Sequence, residues 1–264
     1  MLNRPLLILL SIFISCLQSV YAGTQPTQEQ SPKRIQLASG EWRPFLSKDL
    51  PHYGYASHIV SEAFSMVGVR VEYEFLPWKR AEHSVKKGVL HGSVVWSYRE
   101  DREQWALYSQ PVIVETVVLF HSTRLPLIEW AKIEDLRGMK VSVALGSSAP
   151  TFEAAAEDGI LRLLETGDIE SNFKMLLRGR TDIFPLIKSV GEYYLRTQFS
   201  EEERQQITFS PTIFTPQAYH LILSKEVPDN VELLQQFNQG LKKLKESGRY
   251  QELEKQFNQG AYDG

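Results

Sequence analysis

The run GSVVWSYREDREQWALYSQP, residues 92–111, begins as an apolar strand and turns at once into charge, with Arg99 and Arg102 set among Glu100, Asp101 and Glu103. A guanidinium delivered by a strand end can grip a carboxylate through two parallel charge-assisted hydrogen bonds. The competing arrangement pairs Arg102 with Glu100 or Glu103 at the surface, where an ion pair is worth little. Two tryptophans, Trp42 in GEWRPF and Trp78 in FLPWKR, could stack on a ligand or fill a core. Glu41, Arg43 and Pro44 beside Trp42 read as loop, whereas Trp96 alternates away from Ser97 on its strand and is assigned to packing. In LGSSAPTF a strand passes into a helix at Gly146, Ser147 and Ser148, and N–H groups at such a helix start attract anions. A plain N-cap serine is a compatible role for the same position.

Other chemistries find little support. The six histidines, His52, His58, His83, His91, His121 and His220, are scattered, with no pair at ligand spacing on one helix. No metal site and no cofactor are expected. Phosphate loops and a serine nucleophile elbow are missing. Glu153 and Glu157 share a helix face, the usual situation of solvated carboxylates. A formal net charge of -3 leaves no basic excess to hold nucleic acid or a polybasic membrane patch.

The elements that must position these residues alternate. The 264 residues, 42% hydrophobic and 23% charged, are ordinary globular material. Residues 1–22 place Arg4 before an apolar run and end on Val20-Tyr21-Ala22, as a cleaved secretory signal would. The apolar run is shorter than the roughly 20 residues of a spanning helix. Cys16, the single cysteine, lies inside that segment; FISC fits a lipoprotein acylation site poorly, so the mature chain is expected to have no thiol. Residues 23–33 read as a flexible polar leader. From Arg34 short strands alternate with helices, as in an α/β fold with largely parallel sheets. Ile59, Val60, Ala63, Phe64 and Val67 keep helical spacing up to Gly68, and a second helix is expected from Trp78 to Lys87, ending at Gly88. The strand-and-helix pattern restarts after VIVETVVLF and again after SPTIFTPQA. Asp229 and Glu232 form a sequence capping box for a helix whose stripe is Val231, Leu234, Phe237, Leu241 and Leu244. The pentapeptide QFNQG occurs twice, too little for a repeat architecture.

The string SYREDREQWALYSQPV resembles the ITPERxxxxxFSxPY segment of solute-binding protein family 3, the periplasmic receptors of polar amino-acid ABC importers. GEWRPF, EDLRGMKVSVALGSS, LLRGRTDIF and KKLKESGRYQELEKQF resemble further family segments in the same order, so the resemblance covers nearly all of the mature chain. FLPWKRA is similar to a poorly characterised branch of the family, in which His91 stands where aspartate is usual. The resemblance implies a type II periplasmic binding protein fold. Each of its two lobes is a mostly parallel sheet flanked by helices, with lobe 1 from 34–115 and 218–264, lobe 2 from 116–217, and two hinge strands between them. It implies a ligand site at Glu41, Trp42, Trp78, Ser97, Arg102, Gly146, Ser147 and Ser148. It also implies hinge closure on a small carboxylate-bearing ligand, an amino acid or organic acid, in a monomeric periplasmic protein. An inner-membrane ABC permease or sensor protein would be the partner, without nucleic acid and without catalysis. Cyclohexadienyl dehydratases share the fold, and Glu41 would be the acid of such an enzyme. One departure bears on the ligand: Ile187, followed by Lys188, stands where amino-acid receptors place the aspartate that holds the α-ammonium, and a buried ammonium without a counter-ion is costly. Ala56 and His58 likewise replace the acids of the family's GFDxDL.

Overall fold

Strand β1 (Lys33–Ser39) pairs in parallel with β2 (Val69–Phe75) along its whole length and with β3 (Gly92–Ser97) at Leu37 and Ala38. The computed structural model describes residues 33–126, 130–145, 149–211, 214 and 216–264. The expected signal and most of the leader lie outside them, as do Gly146, Ser147 and Ser148. Helix α1 (Tyr55–Ser65) links β1 to β2, and α2 (Trp78–Lys86) links β2 to β3; strand β4 (Ala106–Glu115) follows. The middle of the chain supplies β5 (Val117–Ser122), β6 (Lys140–Ala144), α3 (Pro150–Glu157), β7 (Arg162–Thr166) and α4 (Ile169–Leu177). It continues with β8 (Phe184–Ile187), α5 (Lys188–Gln198), α6 (Glu201–Arg204) and β9 (Ile207–Ser210). Strand β10 (Gln217–Ser224) and helices α7 (Asn230–Glu246) and α8 (Arg249–Asn258) complete it.

The first sheet has the order β2-β1-β3-β10-β4. Its first three strands are parallel, and β10 runs antiparallel to both β3 and β4. In the middle segment β6 and β7 pair in parallel, while β5 lies antiparallel between β8 and β9. Antiparallel pairing therefore enters with the strands next to the two crossings. The apolar run VIVETVVLF is divided at Thr116: Glu115 is the last residue paired to β10, and Val117 is the first paired to β8.

The first sheet is packed on both faces. Ile35, Leu37, Phe64, Leu221, Phe237 and Leu241 pack between the first sheet and α1, α7 and α8, while Ala38, Ala81, Val85, Trp96, Trp105 and Ile222 fill its other face under α2. Alternation along β5 sends Leu119 to a cluster with Val141, Phe152 and Ile183, and Val118 and Phe120 to one with Phe173 and Phe184. Gly68 at φ 74 and Gly88 at φ 67 turn the chain out of α1 and α2. Helix α5 ties the middle segment to the rest. Val190 joins the first core, Arg196 grips Asp263 through two bonds of 2.7 and 2.9 Å, and Arg43 donates to Tyr193 Oη at 3.4 Å.

Helix α7 departs from its sequence pattern in two respects. Asp229 makes no side-chain cap and instead faces Lys33 at 3.7 Å, so the capping box does not form. The buried stripe runs through Leu233, Phe237, Gly240, Leu241 and Leu244, with Val231 59% exposed, because the surface the helix must meet is α1. Gly240 is the contact point: a Cβ there would lie 1.9 Å from the Ala63 carbonyl oxygen. Gly→Ala in a helix interior ordinarily stabilises by about 1 kcal/mol; here Gly240→Ala is expected to destabilise by about 1–3 kcal/mol in urea unfolding, since the backbone of α1 must move. A stabilised variant would show that the two helices do not approach so closely.

Candidate functional site

Strand β3 carries its end to the site through a local distortion. Val95 has φ 47, a left-handed conformation that costs a β-branched residue about 1–3 kcal/mol. Opposite it the pairing with β10 shifts register between His220 and Ile222, as at a β-bulge. Gly92 permits the close approach of β10, because a Cβ there would sit 2.2 Å from the Ile222 carbonyl oxygen. Beyond the bulge Ser97 is paired to Tyr219.

Arg102 is buried, 7% exposed, in the short 3-10 turn that follows β3. Its Nη1 donates to the Ser97 carbonyl at 3.0 Å, and its guanidinium carbon lies 4.5 Å from the centre of the Trp96 ring. Nε faces Glu82 of α2 at 3.5 Å but makes no hydrogen bond. Neither Glu100 nor Glu103 is its partner. Arg99, by contrast, is exposed and forms a two-bond pair with Asp101 at 2.9 and 2.6 Å. Trp96 donates its Nε1 to Ser93 Oγ at 2.8 Å and meets Trp78 edge-on at 5.4 Å. Trp78 in turn covers Gly40, where a Cβ would fall 2.3 Å from the indole. Arg102, Trp96, Trp78 and Gly40 thus form one continuous stack.

Trp42 is half-buried, with its ring 4.6 Å from Phe45 and 4.9 Å from Tyr219. Glu41 is exposed and its Oε1 accepts the Lys48 N–H at 3.2 Å, closing its own loop. The structure therefore brings Trp42 and Ser97 to Tyr219, and Arg102 to Ser97. Trp78 belongs to the adjoining stack, and Glu41 points to its own loop.

Tyr219 forms one wall of a cavity of about 440 Å³. The other lining residues come from the middle segment: Val117, Val143, Ala144, Ala149, Pro150, Thr151, Phe152, Ile169, Phe184, Pro185, Leu186, Ile187 and Phe214. Trp42, Ser97 and Arg102 stand behind or beside Tyr219 rather than in this lining. Burial pushes the Tyr219 phenol up to about 12, so it is neutral at physiological pH. The three acids next in sequence to the lining are engaged elsewhere: Glu153 accepts the Ala149 N–H at 3.0 Å, Asp168 accepts the Ser171 N–H at 2.7 Å, and Glu170 pairs with Lys174. Lys188 lies 3.7 Å from Glu192 and 4.9 Å from the Phe209 ring.

Tyr219, Phe184, Pro185 and Leu186 are the part of the site that the sequence reading missed; of β8 it singled out Ile187 alone, as the replacement of an acid. The available signal was an aromatic residue at the start of a strand returning from the middle segment, but its neighbour in the sheet could not be read from the chain. His58 has a structural role. Stacked on His52 at 3.7 Å and bonded to Tyr262 Oη at 2.7 Å, it helps pin the C-terminus, and burial together with His52 holds its pKa down at about 4. Among the described residues no group of histidine, cysteine or acidic side chains could hold a metal ion.

The family profile of bacterial extracellular solute-binding proteins, family 3, matches residues 37–260. The chain belongs to this family. No curated protein matches it significantly. Among solved structures it is similar to the second substrate-binding domain of a putative amino acid ABC transporter from Streptococcus pneumoniae, at 20% identity and TM-score 0.67, over 84% of this chain and 99% of that one. It is also similar to substrate-binding domain 2 of Lactococcus lactis GlnP in its open conformation, at 20% identity and TM-score 0.66, over 88% and 97% of the two chains. A histidine kinase sensor domain with similarity to periplasmic binding proteins matches at 22% identity and TM-score 0.62, over 86% and 97%. The fold is therefore the two-lobed type II arrangement.

A second, polar cavity of about 390 Å³ includes Glu115, Glu192, Glu254, Lys188, Ser189, Tyr55 and Tyr250, beside the crossing at Thr116. Burial pushes the Glu115 carboxyl from 4.5 up to about 7; the facing Glu192 and Glu254 add to this, while the Ser189 hydroxyl and Lys188 oppose it. A carboxyl raised on folding favours the folded state while protonated, so that stability is present below its unfolded pKa and is lost as pH rises through the folded value. Relative to Glu115→Gln, the wild-type protein is expected to lose on the order of 2 kcal/mol between about pH 5 and about pH 8. Parallel pH profiles of urea unfolding in the two proteins would contradict this. For the stack, Arg102→Met is expected to cost about 1–3 kcal/mol, and Arg99→Met, whose ion pair is exposed, far less. Equal losses would mean that Arg102 is held no better than a surface ion pair.

Proposed function

We propose that this protein is a periplasmic solute-binding protein that captures a small carboxylate-bearing ligand between its lobes and delivers it to an ABC permease. The observation that carries this reading is the cavity of about 440 Å³, walled on one side by Tyr219 of the first sheet and on the others by the middle segment. A ligand seated there touches both lobes, so its differential affinity favours the closed form. The lobes divide at 115/116 and 217/218, where β4 gives way to β5 and β10 begins.

In this reading Trp42, Trp78 and Ser97 form the rim on the first lobe. Arg102 supplies the positive charge behind Ser97 toward which the ligand carboxylate points. Gly146, Ser147 and Ser148, which lie outside the described residues, are further ligand contacts in the same reading. Residues 1–22 are a cleaved export signal. Among the described residues no helix is long and apolar enough to cross a membrane. The members and neighbours of this family are mostly binding proteins without catalytic activity, and Glu41, engaged by the Lys48 N–H, gives an enzymatic reading no support. The likeness to a histidine kinase sensor domain favours a second reading, in which the closed form reports to a signalling partner.

Small-angle scattering of the mature protein against a library of amino and organic acids is the test. At least one ligand is expected to reduce the radius of gyration and raise the melting temperature together. A library that produces neither change would remove the reading.

A further inference from the structure

The cavity carries a statement about ligand chemistry that rests on the solute-binding reading above. Among its described lining residues none is Asp, Glu, Lys, Arg or His. The lining side chains are aliphatic or aromatic apart from Thr151 and the Tyr219 phenol. The acids adjoining it in sequence are engaged elsewhere: Glu153 and Asp168 by backbone N–H groups at the starts of α3 and α4, and Glu170 by Lys174; Lys188 is held by Glu192 and the Phe209 ring. Residues 146–148, 212, 213 and 215, which interrupt or flank the lining in sequence, are Gly, Ser, Ser, Thr, Ile and Thr and bring no charge.

An ammonium or guanidinium closed into such a space would lose its water with no anion to replace it, and a second carboxylate would fare no better. An apolar group gains there, because closing the lobes removes its surface and that of Ile187, Phe184, Phe152 and Val117 from water together. The volume suits a small molecule, since ligand pockets begin at about 300 Å³. The buried positive charge of Arg102 lies on the other side, hydrogen-bonded to the carbonyl of Ser97, the register partner of Tyr219.

We infer that the ligand is a monocarboxylate with an apolar aromatic or branched aliphatic body and no amino group, seated with its body in the neutral cavity and its carboxylate toward Ser97 and Arg102. Discrimination against α-amino acids follows from the lining itself: the same carbon skeleton is accepted as a 2-oxo or unsubstituted acid and rejected once it carries an α-ammonium.

Isothermal titration of the mature protein with matched pairs tests this: phenylpyruvate against phenylalanine, and 4-methyl-2-oxopentanoate against leucine, with glutamate and arginine as polar probes. In at least one pair the oxo acid is expected to bind tenfold or more tighter than its amino partner, with glutamate and arginine weaker than both. Ile187→Asp, which places a carboxylate in the lining, is expected to narrow or reverse that ratio; if this variant does not fold, Val117→Asp serves the same purpose. Tighter binding of phenylalanine, leucine, glutamate or arginine to the wild-type protein would overturn the inference and leave the solute-binding reading intact. If none of the six probes binds, the inference fails; if the acid library also gives no compaction, the solute-binding reading fails with it.

Discussion

The antiparallel hydrogen bonds that β10 makes to β3 on one side and β4 on the other are the constraint from which the rest of the molecule follows. They complete the first sheet with a strand from beyond residue 216, so everything between β4 and β10 is an insertion that leaves that sheet and returns to it. Because β4 and β10 are neighbours, the two crossings run side by side, with Glu115 opposite Gln217. The same pairing sets Tyr219 beside Ser97, and so puts an aromatic ring of the first sheet against the cavity lined by the middle segment. A one-residue slip of β10 would turn Tyr219 to the opposite face of its sheet.

The two sides of the crossing differ in electrostatic character. On the cavity side the described lining includes no Asp, Glu, Lys, Arg or His, so its wall is mainly apolar surface. Near Thr116 three carboxylates, Glu115, Glu192 and Glu254, share a polar cavity with Lys188, and burial, reinforced by the other two acids, pushes the Glu115 carboxyl up to about 7. The two cavities adjoin at Thr116–Val117 and Ile187–Lys188, and Glu115 adds to the upward push on the Tyr219 phenol. Helix α5 runs beside them, with Val190 in the first core and Arg196 gripping Asp263.

Arg102 shows how a cation can be buried beside an apolar site without a strong ion pair. Its charge is met by the face of Trp96 and by the Ser97 carbonyl, and Glu82 stays at 3.5 Å. The arrangement depends on the bulge at Val95, and on Gly40 and Gly92, which let Trp78 and β10 approach closely. Strain at one residue of β3 is offset by a packed stack running from Gly40 to Arg102.

Much of the architecture was legible in the chain because its signals are local. Hydrophobic spacing located α1, the glycines at 68 and 88 marked the turns out of α1 and α2, and the restarts of the pattern showed a middle segment that leaves and returns. The face of α7 was misread at Val231, since a helical stripe is fixed by the surface it meets, here the Ala63 carbonyl against Gly240. Sequence alone also gave Ile187 in place of an acid, which bears on charge but not on what surrounds it. That Tyr219 stands next to Ser97, that Glu82 rather than Glu100 or Glu103 faces Arg102, and that the cavity wall is neutral were decided by tertiary structure. Each depends on pairing between residues far apart in the chain, and spacing along a sequence carries no information about which distant strand will supply the hydrogen bonds.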